Sequence, residues 1–365
     1  MKVLHVLPNA GSGIETLVVS MLPYFRQQAV ETHLLYLSDA IAPIAAASRG
    51  TASLAHMNIR PDPLKTVAGY RNLVSTLRPD IVHSHSMLPS LLAATGRHID
   101  VRHVRTIHAP YPYFSAQGAR SVVKRRIEGM ALRYTASTVV CVSNAVAKCL
   151  PWQLTEPVLT ICNGVSTVAP MPIQRKAGNS LVVAAGRLEA QKNYPRLLRA
   201  FSTLLKSMPD AKLAIAGEGS QRRMLEDMIQ ALKIESHTTL LGQVTDMTAL
   251  YEKAGLFVLS SDYEGLGLAT MEALCAGCPV VSTPIEPSRE IDDILGGGMI
   301  RFAADFSPET LADAMQRALC ESSAADPDFT ITIAEVRERL SAEACATHYL
   351  ELYRSASHHQ TRHDT

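Results

Sequence analysis

Short apolar, β-branched runs alternate with longer stretches whose apolar positions recur at helical spacing, and this alternation continues through most of the 365 residues. Such a pattern predicts parallel sheets with helices on both faces. In the first half the strands are predicted at Val3 to Leu7, Thr32 to Tyr36, Ile81 to Ser84, Arg102 to Ile107, Thr138 to Val142 and Val158 to Ile161. The pattern then pauses. Ser166 to Ser180 is polar, aperiodic and contains two prolines, which predicts an interdomain linker. A second series follows at Leu181 to Ala185, Lys212 to Ala216, Thr238 to Leu241, Leu256 to Leu259 and Pro279 to Ser282. One helix is predicted from Ala334 to Ser355 on the stripe Val336, Leu340, Ala344, Leu350 and Tyr353, and the polar residues after it read as a disordered tail. The fold class is therefore α/β, with two doubly wound Rossmann-like domains at residues 1–168 and 169–333. Residues 334–356 are expected to pack back toward the first domain, and 357–365 form the tail. Two such domains facing across a cleft would offer it the carboxyl ends of both sheets, where open α/β folds bind ligands.

Composition narrows the classes. An apolar content of 47% with 19% charged residues is ordinary globular material, and 35 Lys+Arg against 34 Asp+Glu leaves no bias suited to wrapping nucleic acid. The opening run Met1 to Leu7 is short for a signal peptide, and no stretch reaches the ~20 apolar residues of a membrane span, so a cytoplasmic protein is expected. Seven scattered cysteines suit reduced core thiols, and the Cys275–Cys278 pair lacks the further ligands of a closed metal site. His83 and His85 are expected on opposite faces of their strand, and no metal site is expected there.

Chemistry concentrates in a few segments. Glu264 and Glu272 stand eight positions apart in a strand–loop–helix–strand stretch, and Glu272 is the only acidic or basic side chain between Gly265 and Thr283. An isolated buried carboxylate is costly, so it calls for a partner. Upstream, a strand ends at Gly186 and releases Arg187 and Lys192 just before a helix, where a guanidinium fork, an ammonium and helix N–H groups together suit a diphosphate. Gly217 and Gly219 follow another strand, with Ser220 as an expected helix cap; they fit either a nucleotide site or a plain tight turn. In the first domain Gly11, Ser12, Gly13 and Glu15 join the first strand to a helix, and the glycines let backbone approach a phosphate or an acceptor. His108 closes a later strand.

The run Glu264, seven residues, then Glu272-Ala-Leu-Cys-Ala-Gly-Cys-Pro-Val-Val resembles the hallmark of the retaining glycosyltransferases of family 4, and the Gly186-Arg187 to Lys192 spacing matches it too. This resemblance implies the GT-B fold and transfer of a hexose from a UDP- or GDP-linked sugar to a glycan or lipid-linked acceptor, in polysaccharide or lipopolysaccharide biosynthesis. It implies no cofactor and no metal, with the nucleotide sugar as substrate and the leaving phosphate assisting the incoming hydroxyl. By the same resemblance Arg187 and Lys192 meet the diphosphate. Glu264, with the amides of Gly265 and Leu266, meets the sugar, Glu272 the ribose, and His108 lies beside the reacting sugar. Gly13, Gly186, Gly217, Gly219 and Val244 fall on the donor side, and Ser12 and Glu15 on the acceptor side. Ser12 stands before Gly13 where the family often has adjacent glycines, and Ser166 stands where aspartate is usual after Asn163-Gly164-Val165. A non-catalytic sugar-nucleotide-binding protein and a nucleotide-sugar epimerase or phosphorylase of the same architecture are the alternatives.

Gly118 to Tyr134 adds a basic helix. At ~100° per residue Val123, Ile127, Met130 and Tyr134 form one stripe, expected to pack on the sheet. Arg120 and Lys124 then flank it while Arg125, Arg126 and Arg133 project outward, offset only by Glu128. Such a face is either simply solvated or rests on anionic lipid through Lys124, Arg125 and Arg126.

Overall fold

The computed structural model describes residues 1–9, 12–37, 51, 53–58, 62–96, 101–109, 119–135, 137–150, 158–166, 179–321 and 332–355. The chain forms two compact units, Met1–Val165 with Ser341–Thr365, and Ser166–Leu340. The first contains β1 (Lys2–Leu7), β2 (Glu31–Tyr36), β3 (Ser53–His56), β4 (Ile81–His85), β5 (Arg102–Ile107), β6 (Thr138–Cys141) and β7 (Leu159–Thr160) in the order β3-β2-β1-β4-β5-β6-β7. The second contains β8 (Leu181–Ala185), β9 (Lys212–Ala216), β10 (Thr238–Gly242), β11 (Leu256–Leu259), β12 (Val280–Ser282) and β13 (Ile300–Phe302) in the order β10-β9-β8-β11-β12-β13. Among the described residues these strands all pair in parallel. Each sheet therefore reverses its strand order once, between β1 and β4 and between β8 and β11, and such reversals open crevices at strand carboxyl ends.

Helices cover the sheets because their apolar stripes have nowhere else to go. In the first unit the helix Gly13–Gln27 buries Leu17, Val18, Met21, Leu22 and Phe25, and the helix Ala342–Ser355 buries Cys345, Ala346, Tyr349 and Tyr353 in the same core, over Val3, Ile81 and Val140. In the second unit Leu197, Leu198 and Phe201 share a core with Leu225, Ile229, Leu311 and Met315 over β8, β9 and β11.

Two expectations change. The helix predicted from Ala334 to Ser355 is two helices, Ile333–Arg339 and Ala342–Ser355, and the units divide between them. At the break Ser341 bridges Val165, the Ala342 N–H donates to the Val165 carbonyl at 2.9 Å, and the Ser341 hydroxyl accepts from the Ala344 N–H at 3.0 Å. The first helix is tied to its own unit instead, with Arg337 donating to the Cys275 carbonyl at 2.8 Å and Arg339 to that of Ile294 at 2.9 Å.

The second change concerns the helix Ala119–Tyr134, whose stripe faces outward: Val123 is 54% exposed and Met130 56%, with Ile127 and Tyr134 also exposed. Glu128 and Leu132 take the inner side. Arg105, buried on β5, accounts for this orientation, because a guanidinium out of water needs an anion and Glu128 is the helix's one acid. The pair closes at 2.8 Å. Arg126 and Arg133 remain exposed; the side chains of Arg120, Lys124 and Arg125 lie outside the described residues, as do Gly11, 167–178 of the expected linker and the tail from 356 onward.

Candidate active site

In the second unit, adjacent strands β8 and β11 release loops that are clasped together. Asp262 N–H donates to the Gln191 carbonyl at 2.9 Å, the Ser260 hydroxyl to that of Lys192 at 2.8 Å, and Arg196 pairs with Asp262 at 2.7 Å. Asn193 holds a left-handed conformation at φ 43° and caps the next helix by accepting from the Arg196 N–H. This clasp sets Lys192 against Glu264, Nζ to Oε1 at 2.6 Å, in a pair whose side chains are only 16% and 8% exposed. The Ser261 hydroxyl donates to the same oxygen at 2.6 Å, and Gln191 Nε2 to the other at 3.3 Å. Arg187 stands exposed on the same loop, near enough to Glu189 for its charge to help hold that carboxyl below the usual range. The site thus carries one cation held in a close ion pair and one exposed to an incoming anion.

Glycines make the clasp possible. A Cβ on Gly217, whose φ is 140°, would sit 2.0 Å from the Gly186 carbonyl oxygen, and one on Gly219 would sit 2.4 Å from that of Leu188. Both are required by backbone packing of two loops, which is the tight-turn alternative. Gly186 has φ 142°, and a Cβ there would crowd Lys192 Cε at 2.8 Å. Ser220 does not cap its helix; its hydroxyl donates to Glu189 at 2.7 Å, and Gln221 holds the cap position. Gly265 and Leu266 are buried just before the helix Leu268–Cys275. On that helix Glu272 is half-buried and receives the Tyr251 hydroxyl at 3.3 Å. Burial raises its carboxyl above the ordinary glutamate range, and Tyr251 only partly opposes this. Val244, half-buried, follows the end of β10. Cys275 and Cys278 are both buried, and burial pushes the Cys275 thiol up to about 12.

In the first unit Ser12 caps the helix Gly13–Gln27, accepting from the Glu15 N–H at 3.3 Å, and the buried Glu15 carboxylate receives the Tyr36 hydroxyl at 2.8 Å. His108, half-buried just past β5, does not stand alone. Its Nε2 lies 2.9 Å from His85 Nδ1, and His85 Nε2 lies 3.0 Å from His5 Nδ1. The expectation that His83 and His85 face opposite ways is corrected, since positions two apart on a strand share a face. Their rings lie 4.1 Å apart. His5, His83 and His85 lie close enough together to hold a metal, yet most of their nitrogens are already engaged. His83 spends Nδ1 on the Tyr353 hydroxyl at 2.6 Å and Nε2 on Thr106 at 2.7 Å, and the other two bond each other. Sequence reasoning missed Gln191, Tyr251 and His5, each of which meets its partner across separate segments, and also Ser261, which lies three residues from Glu264, and the bonds that His85 makes to His5 and His108.

A family model described as Glycosyltransferase Family 4 matches residues 11–168, and one described as Glycosyl transferases group 1 matches residues 171–331. The chain belongs to glycosyltransferase family 4. Among curated relatives of this family 4 chain, a glycogen synthase of Mycobacterium tuberculosis is 31% identical over 57% of the chain and 53% of that protein. An uncharacterized glycosyltransferase of Haemophilus influenzae is 28% identical over 63% of the chain and 64% of its own length. The chain spans about half to two-thirds of the length of these relatives. Among solved structures, Anabaena HepE in complex with UDP and glucose superposes with a TM-score of 0.79 at 17% identity, covering 97% of this chain and all of that one. The two units have the GT-B fold of family 4.

Proposed function

We propose that the protein is a retaining glycosyltransferase that moves a hexose from a nucleoside diphosphate sugar to a glycan or lipid-linked acceptor in cell-surface polysaccharide or lipopolysaccharide assembly. The observation that carries this reading is the Lys192–Glu264 pair, with the exposed Arg187 on the same loop, at the β8–β11 reversal. Arg187 meets the incoming diphosphate, and Lys192 shares with it the charge that grows as the glycosidic bond breaks. Glu264, fixed by Ser261 and Gln191, accepts from sugar hydroxyls, while Glu272 accepts from the ribose diol. The cations do the electrostatic work that a metal would otherwise do, so turnover is expected to persist in excess EDTA. UDP-sugars are the first donors to try, because HepE has been crystallised with UDP and with UDP-glucose. The test is to incubate purified protein with a panel of UDP- and GDP-hexoses and follow nucleoside diphosphate release and the anomeric form of the product. Release with retention supports the proposal; binding without release favours a non-catalytic protein, and an epimerised donor an epimerase.

An anionic membrane surface is proposed as the place where the acceptor is met. Among the described residues no helix is long and apolar enough to cross a membrane, but the helix Ala119–Tyr134 exposes apolar side chains flanked by Arg126 and Arg133, while its one acid is turned inward. Helices of this composition lie in the interface plane, with added attraction to anionic lipid. Met130→Asp with Arg126→Glu should abolish sedimentation with phosphatidylglycerol vesicles at low salt and leave donor hydrolysis intact. If the wild type stays in solution, the acceptor is soluble.

A further inference from the structure

The three histidines His5, His85 and His108 form a hydrogen-bond chain whose direction is set at its buried end. A neutral imidazole has one N–H and one lone pair, so the sense of the first bond dictates the second. Run outward, His5 Nδ1–H donates to His85 Nε2, and His85 Nδ1–H donates to His108 Nε2. Run inward, every proton moves to the other nitrogen, and His5 must carry its proton on Nε2.

His5 is fully buried, and its Nε2 has no hydrogen-bond partner. Its ring stacks on Phe25 with centroids 6.1 Å apart. An orphaned N–H in such a place is rarer and costlier than an unused lone pair, so the outward sense is favoured. A protonated His108 would also break the outward chain, because its Nε2–H would meet the His85 Nδ1–H head on. Burial independently lowers His5 to about 3 and, with the nearby Arg105, His108 to about 3; His85 is lowered as well, by burial and by His83, His108, His5 and Arg105. His83 takes no part in the chain, since its nitrogens are held by Tyr353 and Thr106, and its ring lies against that of His85.

We propose that His5 and His85 are positioning residues, and that the chain they form locks His108 as the neutral tautomer protonated on Nδ1. His108 then offers a hydrogen-bond donor to the ligand beside it and does not act as a base there. This last step rests on the reading of His108 as a neighbour of the reacting sugar; the chain itself does not. Among the described residues His108 Nδ1 has no partner within the protein, so its N–H is available to a ligand oxygen.

The test is long-range proton–nitrogen correlation NMR on the whole protein labelled with ¹⁵N-histidine, with His108 identified by signal loss in His108→Gln. At neutral pH His85 and His108 should both show a protonated Nδ1 and a bare Nε2. A His108 protonated on Nε2, or on both nitrogens, would overturn the proposal. His5→Phe removes the first donor, so the His108 signals should shift toward a mixture of tautomers and kcat should fall about fivefold to tenfold, the size of one lost hydrogen bond, with donor KM little changed. Unmoved His108 signals in that variant would remove His5 from the chain. His108→Gln with wild-type turnover, beside an intact Nδ1–H tautomer in the parent, would refute the sugar contact while leaving the chain standing, so the two failures are distinguishable.

Discussion

Lys192 and Glu264 were each expected to meet a different part of the donor, and the structure places them 2.6 Å apart. Removing one therefore strands the other. Lys192→Ala should lower both turnover and thermal stability, because Glu264 keeps only Ser261 and Gln191, whereas the exposed Arg187→Ala should cost about 100-fold in kcat with Tm unchanged. Equal Tm losses in the two variants would contradict the difference between a buried, ion-paired cation and an exposed one. Glu272 adds a pH dependence. Its carboxyl is raised by burial, so the folded state holds the proton more tightly than the unfolded chain, and this group adds stability as pH falls through its native value and loses it above. Ribose binding by the carboxylate has the opposite sign: calorimetric affinity for nucleoside diphosphate should decline on acidification before ordinary glutamates titrate, and Glu272→Gln should flatten that decline. The paired glutamates and the cations were legible in sequence because each lies within one short segment. Tyr251, which serves Glu272, and Gln191, which serves Glu264, were not, because the fold alone brings them near.

Among elements, the central strands were readable as apolar runs, since a parallel strand is covered on both faces. Edge strands β3 and β13 were missed: Ser53–His56 is partly exposed along its length, and Ile300–Phe302 spans three residues. The break at Leu340–Ser341 could not be read either, because the apolar stripe continues through it and the interruption comes from the bridge to Val165. Likewise the stripe of Ala119–Tyr134 was correct as a pattern and wrong as to direction, since the sequence does not show that Glu128 must neutralise Arg105. Loop glycines give the sharpest element-scale prediction. Gly217→Ala must push a Cβ into the Gly186 carbonyl at a backbone angle that L-residues avoid, and should cost about 2 kcal/mol or more in urea denaturation. Gly297→Ala is the control for angle alone: its φ is 87° with nothing within 4 Å of the added carbon, so its loss should be smaller.

For the whole molecule, alternation along the chain was enough to predict two α/β units, and the first is assembled from two separate stretches, Met1–Val165 and Ser341–Thr365. A chain ending at Leu340 should retain a cooperative transition for the second unit and lose that of the first, seen as one calorimetric peak where the full chain gives both. Gly164 marks how tightly the returning stretch is seated, since a Cβ there would lie 2.1 Å from the Ser341 carbonyl oxygen. The same seam dictates an order of events during synthesis. The stretch Met1–Val165 must hold an uncovered apolar surface, on and around Phe25, until Tyr349 and Tyr353 arrive, by which time all of Ser166–Leu340 has already been made. The unit encoded second is thus free to finish first, and while Ser166–Leu340 is made the core around Phe25 lacks the side chains that complete it.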